Sequence, residues 1–169
     1  EGAMRSALAA GARFVLLDAA LVATETTVDD IGLAYTWSYG PANRPLGHGA
    51  FRTEVHAIRG VGLKPLSPVH VRGRRTGGTV EISWVRRTRV GGDSWDLVEV
   101  PLGEASEAYA VDILDGATLK RTIATSAPSA TYGPAEQIAD FGSAQPAYSI
   151  RVCQLSASAG RGTQRQATV

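Results

Sequence analysis

The amino-acid sequence predicts an all-β chain, with a small β-rich unit over residues 1–64 followed by an antiparallel β-sandwich over residues 65–169. Three observations lead to this fold class. Bulky apolar residues alternate with small or polar ones along short stretches, which is the period of a half-buried strand. Turn signals separate these stretches about every 8–12 residues. The chain has 169 residues with 19 glycines, 8 prolines and a single methionine, which is typical of many short strands rather than of a helical bundle.

The small unit is predicted to contain a short helix over residues 1–10 and one or two apolar strands over residues 12–24. Residues 31–41 and 50–60 form two further predicted strands, joined by a loop with two prolines. In the first of these strands, every second side chain is bulky, and these side chains are Leu33, Tyr35, Trp37 and Tyr39.

The boundary between the two units is predicted within residues 62–71, which contain Pro65 and Pro68. Because proline has no N–H to donate, this stretch suits a linker that enters an edge strand. The sandwich strands that follow are predicted over residues 68–74, 79–90, 94–103, 107–116, 117–126, 147–157 and 161–169. The side chains that these alternations direct inward are Val80, Ile82, Trp84, Tyr109, Val111, Ile113, Tyr148, Ile150 and Val152.

Composition excludes several classes of protein. The net charge of +1 argues against binding of nucleic acid or of an acidic membrane through a general basic excess. The lone Cys153 rules out an internal disulfide and a cysteine-rich zinc site, which fits assembly in a reducing cytoplasm. No apolar run approaches the roughly 18 residues of a membrane span. Arg13 and Asp18 interrupt the apolar N-terminal region, so we do not interpret it as a signal peptide. Since the chain begins with Glu1, we expect it to be a fragment of a longer polypeptide or a processed one.

Two resemblances narrow the expectation. The segments "ISW", "EAYAVDI" and "AYSIRVCQLSASAGRG" resemble, in this order, strands of a fibronectin type III sandwich. Residues 65–169 also resemble the C-terminal region of the large tail-tip protein of gene transfer agents and siphophages, through "SWVRRTR", "DSW", "EVPLGE", "EAYAVDI" and "DFG". In residues 1–64 the resemblance rests on "EGAMRSALAAGARFVLLD" and "YTWSYGP".

The tail-tip resemblance implies a trimeric baseplate hub whose distal parts face the recipient cell. It implies other tail and baseplate proteins as partners, and a virion-like particle assembled in the bacterial cytoplasm as the location. It also implies that this chain lies after a glycosidase-like TIM barrel, so the chemistry of that barrel is not assigned to it.

Six arginines precede an acidic segment, and they allow two interpretations. The arginines are Arg72, Arg74, Arg75, Arg86, Arg87 and Arg89, and the acids are Asp93, Asp96, Glu99, Glu104, Glu107, Asp112 and Asp115. The arginines could form a patch for an acidic surface sugar or a neighbouring subunit. The interpretation that we favour is that the two charge blocks face each other across strands or across a subunit contact.

No group of residues predicts catalysis. The pairs Glu104–Glu107 and Asp93–Asp96 lie in turn-like sequence, where we expect solvated acids rather than the carboxylates of a glycosidase cleft. The histidines His48, His56 and His70 are scattered without metal-ligand spacing. Cys153 lies in an apolar strand and is predicted to be a structural thiol. Neither a nucleophile elbow nor a phosphate-binding loop is present, so we expect no enzyme activity, no cofactor and no metal.

The aromatic residues divide into two groups. Trp84 and Tyr109 are predicted to lie in the core, whereas the stripe that contains Trp37 either packs within the small unit or forms a surface on which sugars stack. Candidate recognition or interface residues are Trp37, Tyr39, Arg86, Arg87, Arg89, Trp95, Glu104 and Glu107.

The sequence thus predicts a non-catalytic structural and recognition module of a phage-like tail tip, with binding in loops 91–95 or 103–108 or on the Trp37 strand. The alternatives are a carbohydrate-binding module for capsule or cell-envelope polysaccharide, and an accessory domain of a secreted glycosidase.

Overall fold

The computed structural model describes residues 7–12, 14, 16, 18–19, 24–94, 96 and 98–169. Contacts between Cα atoms divide the chain into two compact units, Glu1–Ile58 and Arg59–Val169. The boundary at residues 64 and 65 stays a prediction. In the described part of the chain, no helix is long and apolar enough to cross a membrane.

The first unit is built on one β-hairpin. Strands β1 (Ala34–Tyr39) and β2 (Arg52–Ala57) pair in antiparallel fashion, with Trp37 opposite Glu54. Both strands were predicted. The described residues among 7–10 form no helix, and those among 12–24 form no strand, so these two predictions are wrong there. The remaining residues of both stretches lie outside the described part of the chain.

The second unit is a sandwich of two antiparallel sheets. Its strands are β3 (Val69–Thr76), β4 (Thr79–Val85), β5 (Tyr109–Asp115), β6 (Thr118–Thr125), β7 (Ser129–Tyr132), β8 (Ser149–Ser156), β9 (Gly160–Arg161) and β10 (Arg165–Thr168). One sheet has the order β3-β4-β7, and the other has the order β10-β8-β5-β6, with β9 also paired to β8. This division of a Greek-key chain is the fibronectin type III-like arrangement, so the predicted fold class is confirmed.

The core between the sheets consists of the side chains that the alternation directed inward, together with Ala130 and Tyr132 of β7, a strand that the sequence analysis did not predict. Trp84 packs edge-on against Tyr109 with the ring centroids 5.2 Å apart, and both are buried, as predicted. Val111, Ile150 and Val152 are fully buried beside them. Each such side chain removes enough apolar surface from water to stabilise the fold by about 1.5–3 kcal/mol. Cys153 is also buried, and burial raises the pKa of its thiol, which disfavours the thiolate form.

An α-helix that the sequence analysis left unassigned lies between β7 and β8. Helix α1 (Pro134–Phe141) begins with proline in its first position, and the Glu136 carboxylate accepts a hydrogen bond of 2.7 Å from Gly133 N. It ends at Gly142, which has a φ of +75°, a conformation that only glycine adopts without strain.

Tyr148, just before β8, connects this helix to the sheet. Its hydroxyl accepts a hydrogen bond from Gln145 N (2.8 Å) and donates one to Gln137 Oε1 (2.9 Å). The bond to a backbone N–H a few residues upstream is that of a tyrosine corner, which fixes the crossing between the two sheets.

The strand predicted over residues 94–103 is not formed by the residues described there. Strand β4 also ends at Val85, five residues earlier than the predicted end at Val90. Residues 86–108 therefore form one long connection between β4 and β5, without a helix or strand among its described residues. A loop of this length in a compact domain has either its own packing or a function.

Candidate functional site

Three arginines at the start of the long connection hold it in place. Arg86 donates from Nη2 to the carbonyl oxygen of Val100 (2.7 Å) and from Nη1 to that of Pro101 (3.0 Å). The same guanidinium lies 3.5 Å from the carboxylate of Glu99 and 4.0 Å from that of Glu107. Because the Arg86 side chain is only 14% exposed, its donors serve the loop rather than a ligand.

Arg89 and Arg87 have similar roles. Arg89 Nη2 lies 3.4 Å from Glu104 Oε1 and 3.5 Å from the carbonyl oxygen of Gly103. Arg87 donates from Nε to the carbonyl oxygen of Ser67 (2.8 Å) and from Nη2 to its hydroxyl (2.9 Å). Ser67 is itself buried, just before β3. The three guanidiniums therefore join the loop and Ser67, just before β3, to the segment that follows β4.

Of the four acids that were predicted to be solvated, Asp93 and Asp96 are exposed, as expected, whereas Glu104 and Glu107 are engaged. The Glu104 side chain is 5% exposed, because it lies under Arg89, so the prediction of a solvated carboxylate is wrong for this residue. Glu107 accepts a hydrogen bond of 2.7 Å from the Tyr109 hydroxyl. Together with desolvation by burial, the larger cause, this bond raises the pKa of Tyr109. Opposite charges do face each other here, but within one loop rather than across strands.

A depression of about 440 Å³ lies beside this loop, and Trp84, Arg86, Glu99 and Glu107 are among its lining residues. Its guanidinium and carboxylates already pair with one another. Among the described residues, no group of three or more His, Cys, Asp or Glu side chains could hold a metal ion.

The other predicted recognition residues lie on the hairpin of the first unit. Tyr35 and Trp37 are in edge contact on one face of β1, with centroids 6.1 Å apart, and Tyr39 on the same face is 50% exposed. The interpretation that this stripe forms the core of the small unit is therefore wrong for its tyrosines. A small depression of about 140 Å³ beside Tyr35 and Trp37 is also lined by Asp30.

Two carboxylates, which the sequence analysis did not single out, hold the tyrosine hydroxyls. Tyr35 donates to Asp30, and Tyr39 donates to Glu54 Oε1 over 2.9 Å. The backbone N–H of Thr27, followed by Tyr35, lowers the pKa of Asp30. His56, followed by Tyr39, lowers the pKa of Glu54. Glu54 meets Tyr39 because the antiparallel register of β1 and β2 places Trp37 opposite Glu54. The sequence analysis predicted both strands but not this register.

The predicted site residues thus separate into two groups. Arg86, Arg87, Arg89, Glu104 and Glu107 lie in or beside the long connection, whereas Trp37 and Tyr39 lie on the hairpin. Trp95 is outside the described residues.

The fold defines a class, a fibronectin type III-like β-sandwich with an appended N-terminal unit. No family model matches the chain, and no curated protein matches it. It is similar to a solved structure titled "Structure of FN3tt mut", with a TM-score of 0.42 and 14% identity over 63% of this chain and 94% of that one.

Two further solved structures are similar. Domains d3–d4 of the rat CD45 extracellular region give a TM-score of 0.45 at 10% identity, over 97% of this chain and 78% of that one. The FN5 domain of Drosophila Lar gives 0.35 at 18% identity, over 62% and 94%. These similarities carry no information on function, and the fold assignment rests on the strand order.

Proposed function

We propose that this chain is a non-catalytic assembly and recognition module of a phage-like tail tip, of the kind found in gene transfer agents and siphophages. The sequence resemblance of residues 65–169 to such proteins supports the tail-tip part of the proposal. The non-catalytic part is supported by the long connection, where the ionisable side chains are engaged with one another and with backbone carbonyls.

One observation carries the assembly role. No described residue among 7–58 is buried. The exposed apolar side chains of this stretch are Leu8, Phe14, Leu16, Val28, Ile31, Leu33, Tyr35, Tyr39, Leu46 and Val55. A two-stranded hairpin alone is marginally stable in water, and apolar surface of this extent marks a protein contact. The first unit therefore gains its stability by packing against a partner, which we propose to be other tail proteins or further copies of this chain in a trimer.

Co-purification of the full chain with the other tail-tip proteins tests this role. Val55 on β2 is 64% exposed, so Val55→Lys leaves the isolated chain intact but places a charge in the proposed contact. We expect this variant to lose its partners. The matched control is Leu119→Lys on β6, where the side chain is 51% exposed, and it retains them. Equal retention by both variants would contradict an assembly role for the hairpin.

A second candidate function, binding of neutral sugars, is favoured by the aromatic face of β1. Its tyrosine hydroxyls are held by Asp30 and Glu54, which orients the rings, and aromatic faces can stack on sugar rings while carboxylates accept their hydroxyls. A glycan array with the full chain tests it. Binding that is insensitive to salt and lost on Trp37→Ala supports this function, and a blank array argues against it.

A further inference from the structure

The six arginines of the sequence motif do not share one environment. Arg86, Arg87 and Arg89 donate to the loop and to Ser67, as described above. Arg75 Nη2 donates to the carbonyl oxygen of Gln145 (2.7 Å), and its guanidinium lies over the Tyr148 ring. In contrast, the side chains of Arg72 and Arg74 make no hydrogen bond or ion pair with another described residue.

The register of the three-stranded sheet places these two arginines on its outer face. Gly73 lies between them and faces the interior, where a Cβ would lie 2.4 Å from Val169 Cβ. Its partner on β4 is the buried Ile82. Because side chains alternate along a strand, Arg72 and Arg74 project outward on the same side, about 7 Å apart along β3.

Pairing across the sheet produces two polar rows on this face. Arg72 is opposite Ser83, which is opposite Ser129 on β7, and Arg74 is opposite Glu81, which is opposite Thr131. The rows thus have an arginine at the β3 edge and a hydroxyl at the β7 edge, and Glu81 is their only acid.

A shallow groove follows these rows. One depression of about 350 Å³ is lined by His70, Arg72 and Ser83, and another of about 450 Å³ by Arg74, Ser83, Ser129 and Thr131. The two share Ser83, so they form one continuous surface across the sheet. We call it the arginine groove, and its outward side chains are His70, Arg72, Arg74, Glu81, Ser83, Val85, Ser129 and Thr131.

His70 gives a second indication that this face has a function. It has a φ of +52°, the only positive φ of a described residue other than glycine, and it lies where the register of β3 shifts between Val69 and Arg72. This left-handed conformation costs on the order of 1–2 kcal/mol. Bulges and such strained residues redirect side chains next to functional sites, and here the strained residue is in the groove.

We propose that the arginine groove binds an acidic polysaccharide, with Arg72 and Arg74 pairing with its carboxylates and the Ser83, Ser129 and Thr131 hydroxyls bonding to its sugar hydroxyls. This inference rests on the proposed recognition role and names the class of ligand. Arginine forms bidentate pairs with carboxylates, and the two guanidiniums outnumber the single carboxylate of Glu81.

The chemistry of the groove favours a polysaccharide over a protein. The centre of a protein interface is apolar, with aromatic anchors, whereas the outward side chains of this groove are mostly charged groups and small hydroxyls, and Val85 is the one exposed apolar side chain that lines it. Nucleic acid would require a broader basic excess than a chain of net charge +1 provides.

The test is binding of the full chain to polygalacturonate, measured by titration calorimetry, with neutral dextran as the matched polymer. We expect binding to polygalacturonate alone, weakening as salt is raised, because salt screens exposed charges. The double variant Arg72→Gln and Arg74→Gln removes both charged donors and should weaken binding by about tenfold or more. The control, Arg44→Gln with Arg59→Gln, removes the same charge from exposed positions outside the groove and should leave affinity unchanged.

Glu81→Gln supplies a gain-of-affinity arm that does not depend on damage to the fold. Removing the one opposing charge should strengthen binding by about two- to threefold, which is the effect of an exposed charge pair. Equal loss in both double variants, or equal binding of dextran, would overturn the proposal. The absence of polysaccharide binding would also overturn it, even if the double variant of Arg72 and Arg74 were found to lose a protein partner. Co-purification of Val55→Lys with tail proteins reports on assembly separately, so failure here is distinguishable from failure of the proposed function.

Discussion

Gln137 of helix α1 is the side chain whose replacement most directly tests how the sandwich is closed. It is 0% exposed, and its Nε2 donates to the carbonyl oxygens of Gly78 (2.8 Å) and Tyr132 (2.9 Å), while its Oε1 accepts from Tyr148. One amide thus joins the β3–β4 turn, the end of β7 and the start of β8. Gln137→Leu keeps nearly the same volume, so the change removes hydrogen bonds without leaving a large cavity.

The magnitude follows from the groups that lose a partner. The buried carbonyl oxygen of Tyr132 would lose a donor and the Tyr148 hydroxyl would lose its acceptor, at about 1–3 kcal/mol for each buried group, whereas the carbonyl oxygen of the exposed Gly78 can turn to water at a smaller cost. Allowing for relaxation, we expect Gln137→Leu to lower the free energy of unfolding by about 3–5 kcal/mol. Tyr148→Phe removes one shared bond and the bond to Gln145 N, at about 1.5–3 kcal/mol. Since the two variants remove the same bond, the double variant should fall short of the sum by about 1–2 kcal/mol.

Urea unfolding followed by tryptophan fluorescence in a background with Trp37→Phe and Trp95→Phe, which leaves the buried Trp84 as the reporter, measures these differences. Ile138→Ala on the same helix is the control, because that side chain is 57% exposed and should change stability by less than about 1 kcal/mol. A cost below about 1 kcal/mol for Gln137→Leu, or additive effects of the two replacements, would refute the argument that this amide holds the helix to both sheets.

Two further predictions concern close packing and acid stability. Gly73→Ala places a methyl group against Val169 Cβ, so we expect a loss of about 1–3 kcal/mol in urea unfolding, largely restored by Val169→Gly; no loss would contradict this packing of β3. The Arg121 guanidinium, followed by the Tyr132 hydroxyl, holds the pKa of Asp140 below its ordinary value. The ionised Asp140 carboxylate therefore stabilises the fold fully above about pH 4, and this stabilisation is lost as pH falls through the folded-state pKa. Asp140→Asn should therefore be less stable than the parent at pH 7 but lose less stability between pH 5 and pH 2, and identical acid profiles would show that the ion pair does not contribute.

The side chains between the two sheets could be predicted because bulky apolar residues there follow a period of two, although the intervening Ala110, Asp112 and Leu114 of β5 are buried as well. Tyr109, Val111 and Ile113 occupy alternate positions of β5 and are fully buried, as are Ile150 and Val152 on β8. Alternation decides which face a side chain takes whenever one face is apolar. The alternation does not depend on which strand is the neighbour in the sheet, so the inward side chains could be predicted from the sequence alone.

Helix α1 was missed because eight residues give too few turns for a helical period to stand out. Its signals are local instead. Gly133 followed by Pro134, with Glu136 two positions further on and Gly142 at the end, is a cap-to-cap pattern that capping rules recognise without periodicity.

The strand predicted over residues 94–103 fails for a reason that local sequence does not contain. A strand must give its carbonyl oxygens to a neighbouring strand. Here the oxygens of Val100 and Pro101 accept from Arg86, which lies fourteen and fifteen residues earlier in the chain. The stretch does have the apolar alternation of a strand, but two of its carbonyl oxygens bind the Arg86 guanidinium instead of a neighbouring strand.

The arginines show where sequence reasoning reaches its limit. Within β3, side chains alternate between the two faces of the sheet, and Arg72 and Arg74 face outward because Gly73 between them faces Val169. After β4 ends at Val85, side chains no longer alternate between two faces. Arg86 and Arg89 there bind carbonyl oxygens and carboxylates of the loop. The residues first expected to recognise a partner are therefore those that hold the loop. The side chains of Arg72 and Arg74, which the regular strand geometry projects into solvent, have no partner among the described residues, and the proposed recognition by charge therefore falls to them.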